Sequence, residues 1–66
     1  MKVKVDHEDV ESKVEVKEGT RVEKVLEKVN INPETVIVEM EGKIVSLEEE
    51  LEGGEKLKLV NVVSGG

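Results

Sequence analysis

Valine supplies 14 of the 24 apolar side chains in this 66-residue chain, and no alanine or aromatic residue accompanies it. A β-branched side chain is stiff at χ1 and packs well on a pleated surface, so this composition favours strands over a helical bundle. Sixty-six residues make one domain, near the lower limit for folding without a cross-link. Cysteine is absent, which removes disulfides, thiolate zinc sites and a nucleophilic thiol together. Apolar burial has to hold the fold.

Charge narrows the partners. Sixteen acids against 10 bases leave a net charge of −6. Such a surface repels phosphate backbones, and there is no aromatic ring on which a base could stack, so nucleic acid is an improbable partner. The longest apolar run is three residues, residues 36–38, so neither a membrane span nor a signal peptide is expected, and a cytoplasmic location follows as the default. Lys and Glu dominate the charges while Gln and Cys are missing, a composition that leans towards a heat-loving source.

Periodicity places the elements. Residues 1–5 alternate, with Met1, Val3 and Val5 on one face of a strand; Asp6, His7, Glu8 and Asp9 read as a polar connection. A second alternation puts Val14 and Val16 inward and completes an antiparallel hairpin. Gly19 breaks the strand. Thr20-Arg21-Val22-Glu23 has the form of a capping box, and Val22, Val25, Leu26 and Val29 then recur at i, i+3, i+4, i+7 as one helical stripe. Asn30 reads as the C-terminal residue of the helix, and Asn32-Pro33 prevents continuation. Residues 35–41 predict a third strand with Val36, Val38 and Met40 on one face, and Gly42 supplies positive φ for a tight turn. Ile44 and Val45 form a short fourth strand, residues 47–51 a helical turn, and residues 56–63 the last strand. The core expected from these faces is Val3, Val5, Val14, Val16, Val22, Leu26, Val36, Val38, Leu57 and Leu59.

The sequence ends in Gly65-Gly66. Glycine has no Cβ, so such a tail can lie extended in a channel too narrow for any other residue. Its carboxylate can be captured by backbone donors or activated on ATP. Taken alone, the dipeptide favours the blander reading, a flexible end without a role, and it is the rest of the chain that reverses this. If Leu57 and Leu59 point inward, alternation turns Val60 and Val62 outward beside the tail. With Val63 they form a candidate partner-docking set, the alternative being edge packing within the domain.

The order of these elements, with Ile31-Asn32-Pro33-Glu34, Val36-Ile37-Val38, Gly42-Lys43-Ile44-Val45 and residues 57–66, resembles the ubiquitin-like sulfur-carrier family. That family includes the thiamine-pathway sulfur carrier, the small subunit of molybdopterin synthase, the ubiquitin-related modifier and the small archaeal modifier proteins. The similarity is greatest to the thiamine-type carriers. Two features depart from the pattern: Glu39 stands where ubiquitin presents an apolar residue before the turn, and the last strand lacks the aromatics of the molybdopterin subunit. The resemblance implies an α+β fold, the ubiquitin-like β-grasp, in which a mixed four- to five-stranded sheet packs on one helix with the first and last strands parallel at its centre. Residues 1–63 would form the domain and 64–66 a flexible tail.

It also implies a function. Gly66, preceded by Gly65, would be adenylated by a ubiquitin-activating-type enzyme, converted to a thiocarboxylate by a persulfide sulfur donor, and used by a sulfur-acceptor enzyme in thiamine, molybdopterin or tRNA thiolation. The alternative is a protein modifier joined through Gly66 to lysines of target proteins, and a passive protein-binding module is a third. The chain itself is then a monomeric carrier and not an enzyme. It needs no cofactor, since ATP is used by the activating enzyme. No residue pattern points to catalysis or to a metal: His7 stands alone in a polar stretch, Glu48-Glu49-Glu50 reads as a solvated acidic turn, and Gly53-Gly54 lacks the Lys-Ser/Thr continuation of a phosphate loop.

Overall fold

In the computed structural model, which describes residues 1–62, the first alternating run forms β1 (Lys2–His7) and pairs antiparallel with β2 (Val10–Glu15), Val3 facing Val14. The connection is shorter than the polar run 6–9 suggests. Glu8 and Asp9 alone turn the chain, at φ 52° and 64°, while Asp6 and His7 remain in the strand. Two successive left-handed residues give a type I′ turn, whose twist matches that of the paired strands.

Helix α1 (Val22–Lys28) carries Val22, Val25 and Leu26 into the interior. The expected capping box does not form. Arg21 is the N-cap without a side-chain bond, and the Thr20 hydroxyl donates backwards to the Lys17 carbonyl (2.5 Å). The free N–H groups at the helix start find main-chain acceptors instead: Val22 N–H donates to the Glu49 carbonyl and Glu23 N–H to the Leu47 carbonyl, both at 3.0 Å. A helix start satisfied in this way needs no capping side chain. At the other end Asn30 takes φ 59°. Its N–H donates to the Glu27 carbonyl (3.1 Å) and that of Ile31 to the Leu26 carbonyl (3.0 Å), a Schellman arrangement that ends the helix at the expected place.

Residues 47–51 form no helical turn. Ser46 opens a tight turn, its Oγ accepting from Glu48 N–H and its carbonyl from Glu49 N–H, both at 3.1 Å. The chain then crosses the helix start through an antiparallel bridge between Arg21 and Glu50, and Leu51 N–H donates to the Thr20 carbonyl (2.9 Å). The Leu47 and Glu49 carbonyls serve α1.

Pro33–Thr35 is a single 3-10 turn, capped by Asn32 Oδ1 accepting from Glu34 N–H (2.9 Å). Thr35 is held there because its N–H and hydroxyl both donate to the Asn32 carbonyl, at 3.0 and 2.7 Å. Strand β3 (Val36–Met40) therefore begins one residue later than expected. It ends at Met40 because Glu41 and Gly42, at φ 53° and 78°, form a second type I′ turn into β4 (Lys43–Ile44). The fourth strand thus stops short of Val45, whose N–H still donates to the Val38 carbonyl (2.9 Å). Strand β5 (Lys56–Asn61) ends before Val62, and Val63, assigned from the sequence to this strand, lies outside the described residues.

The strands join into one five-stranded sheet in the order β2-β1-β5-β3-β4, with β1 and β5 parallel at the centre and the other pairs antiparallel. One sheet on one helix is the β-grasp arrangement expected. All ten expected core residues are buried, joined by Val25 and by Leu51.

Candidate functional site

Gly65 and Gly66, the expected reacting terminus, and Val63 of the expected docking set lie outside the described residues. The structure therefore presents the base of the site: β5, which leads to them, and what flanks it.

Leu57 and Leu59 are buried, so Lys58 and Val60 point away from the helix, as the alternation requires. Val60 is 37% exposed and Val62, one residue past the strand, 39%. Across the β3–β5 pair, Ile37 stands directly opposite Val60 and is 38% exposed. It shares the outward face because Val36 and Val38 on either side are buried. Ile44 on β4 is 72% exposed and faces Glu39. An apolar pair thus sits at the end of the sheet from which residue 63 continues.

The rest of that face is charged. Lys58 lies between Asp6 of β1 and Glu39 of β3 in the sheet register, and Lys56 Nζ is 3.2 Å from Glu11 Oε2. Glu39, which replaces an apolar residue of the ubiquitin pattern, makes the surface around Ile37 more acidic. Exposed pairs of this kind contribute little to stability.

His7 is not in a loop. It ends β1, half-buried, and its Nε2 is 2.8 Å from Asn61 Oδ1, while Asn61 Nδ2 donates to Glu8 Oε1 at 2.8 Å. No group of three or more His, Asp or Glu side chains converges as a metal site among the described residues. Two carboxyls stand below the ordinary value of 4.5. Glu15 Oε2 meets the terminal amine of Met1 at 2.6 Å, and that hydrogen bond and positive charge hold its carboxyl down. For Glu55, burial pushes upward, but the N–H groups of Glu52 and Gly53, donating at 2.7 and 2.6 Å, outweigh it. Neither carboxyl belongs to the end of β5.

The ThiS family model matches residues 3–66, from β1 through the final glycine. The chain belongs to the ThiS family. This agrees with the resemblance to ubiquitin-like sulfur carriers read from the sequence. An uncharacterized protein of Archaeoglobus fulgidus is 43% identical over 71 residues, covering 100% of both chains. The sulfur carrier protein TtuB of Thermus thermophilus is 36% identical over 53 residues, which span 80% of this chain and 82% of its own.

For this ThiS-family chain the structure adds Ile37, Ile44 and the His7–Asn61–Glu8 contacts to what the sequence singled out. Ile37 carried a usable signal, since inward Val36 and Val38 force it outward. The polar contacts carried none, because they join positions more than 50 residues apart. No helix among the described residues is long and apolar enough to cross a membrane.

Proposed function

We propose that this chain is a sulfur carrier whose C-terminal glycine carboxylate is adenylated and then converted to a thiocarboxylate. The observation that carries the reading is the family match over residues 3–66, a range that includes Gly65 and Gly66. The relative named as a sulfur carrier, aligned over 80% of this chain, supports it.

The chemistry follows from the functional group. A carboxylate is a poor acyl donor because oxide is a poor leaving group. Attack of a Gly66 oxygen on the α-phosphorus of ATP forms a mixed anhydride and releases pyrophosphate. A persulfide sulfur then attacks the activated carbonyl, AMP departs, and an acyl disulfide forms. A second thiolate attacks the outer sulfur, giving a disulfide and leaving the thiocarboxylate on Gly66. Both thiols belong to partner proteins, since this chain has no cysteine. The chain supplies the carboxylate, a tail thin enough to enter the activating enzyme, and the face bearing Val60, Val62 and Ile37 that docks there. It acts as a carrier and leaves catalysis to the activating and sulfur-acceptor enzymes.

Intact mass after incubation with the cognate activating enzyme, ATP and a persulfide donor tests the reading. A sulfur-for-oxygen exchange at the terminus is expected, and a chain lacking Gly65 and Gly66 should show neither this exchange nor ATP–pyrophosphate exchange. Lysine conjugates without a sulfur-exchanged terminus would replace the carrier by a protein modifier.

A further inference from the structure

Three polar side chains meet where β5 leaves the sheet. A carboxylate only accepts hydrogen bonds, so the 2.8 Å contact to Glu8 Oε1 fixes Nδ2 as the atom of Asn61 that faces it. Asn61 Oδ1 then faces His7 at 2.8 Å and requires the imidazole proton to sit on Nε2. The relay runs in one direction, from His7 through Asn61 to Glu8.

Its place in the sheet matters. On the β3 side the main chain holds β5 to its end: Val36 pairs with Asn61, and Val62 N–H donates to the Thr35 carbonyl (3.0 Å). On the β1 side the ladder stops at His7 and Leu59, two residues earlier. The Asn61 side chain takes over from the missing ladder and ties the strand end to the β1–β2 turn. Gly66 lies four residues beyond Val62, and four residues fully extended reach at most about 14 Å. Over so short a reach the direction in which the strand points decides where the terminal carboxylate can arrive.

We propose that His7, Asn61 and Glu8 are positioning residues that aim the C-terminal tail into the adenylating enzyme. This rests on the reading of Gly66 as the activated terminus. The relay is too exposed to matter much for global stability, as a surface hydrogen bond has a small net worth. Alignment of a reacting group, in contrast, is sensitive to small displacements.

ATP–pyrophosphate exchange with the cognate activating enzyme, measured against carrier concentration, compares wild type with Asn61→Ala, His7→Asn and His7→Gln. Glutamine sets an amide N–H close to the position of Nε2, whereas asparagine falls short of it. Asn61→Ala and His7→Asn should lower kcat by about three- to tenfold with KM for the carrier and the melting temperature unchanged, and His7→Gln should keep the wild-type kcat. Wild-type kcat in Asn61→Ala, or equal losses in the two His7 variants, overturns the proposal. Amide exchange at Val62, read by NMR without any enzyme, should quicken in Asn61→Ala, and an unchanged rate overturns it equally. A wild type that supports no pyrophosphate exchange defeats the reading of Gly66 and with it the aiming role. The Val62 amide still reports whether the relay holds the strand.

Discussion

Leu26 and Thr20 lie six residues apart and contribute very differently. Leu26 is fully buried at the centre of the helix stripe, so Leu26→Ala should cost about 2–4 kcal/mol through lost burial and an unfilled cavity. Thr20 donates only to the nearby Lys17 carbonyl and caps nothing, so Thr20→Ala should cost about 0.5 kcal/mol. Urea melts of the two variants check the ranking, and a reversed order would mean that the hydroxyl holds the helix start after all. At the sheet surface, Val60→Asp should leave the fold intact and weaken binding to the activating enzyme, because the side chain already faces out beside Ile37. Burying a valine against a partner is worth roughly 1.5 kcal/mol or more, and a carboxylate there adds its desolvation. Titration of the variant against the activating enzyme gives the loss directly, and circular dichroism the state of the fold. Unfolding in place of weaker binding would put Val60 in the core.

The faces of the elements were legible because spacing alone determines them. Period two in residues 1–5 and 14–16, and the i, i+3, i+4 stripe from Val22, assign inward positions without knowledge of the partner surface, and those positions are buried except Met1, which is half-buried against the core. The ends of the elements were legible only where a side chain or a special φ marks them, as at Asn30 and Gly42. The start of α1 was not. Its acceptors are the carbonyls of Leu47 and Glu49, and a carbonyl has no signature in sequence because every residue carries one. For the same reason residues 47–51 resembled a helical turn while their hydrogen-bonding groups were committed elsewhere. The glycines of the tail were legible as residue types, and the family match gave them their setting. Leu51 anchors the crossing segment from a fully buried position. Leu51→Ala should therefore cost about 2–4 kcal/mol and, unlike Leu26→Ala, speed hydrogen exchange most at the Val22 and Glu23 amides. Uniform acceleration along the helix would argue that the crossing segment does not cap it.

For the molecule as a whole, acid should be the sensitive direction. The Glu15 and Glu55 carboxyls stand below 4.5 in the folded chain. Their contribution is present above the unfolded value and is lost as pH falls through the folded values, so the melting temperature should decline below about pH 4.5. Thermal scans of wild type and Glu55→Gln check this: the variant should begin lower and lose less on acidification, and parallel curves would remove Glu55 from the account. The central pairing of β1 with β5 has a consequence in time. A ribosome makes β1 first and β5 roughly 50 residues later, yet the sheet has no middle until the two lie side by side. A nascent or truncated chain without β5 keeps β1 and β3 with open edges, the kind of surface that aggregates and is cleared. Folding thus acts as a proofreader of synthesis: the closed domain forms only on chains that have been made as far as the strand that leads to the glycines.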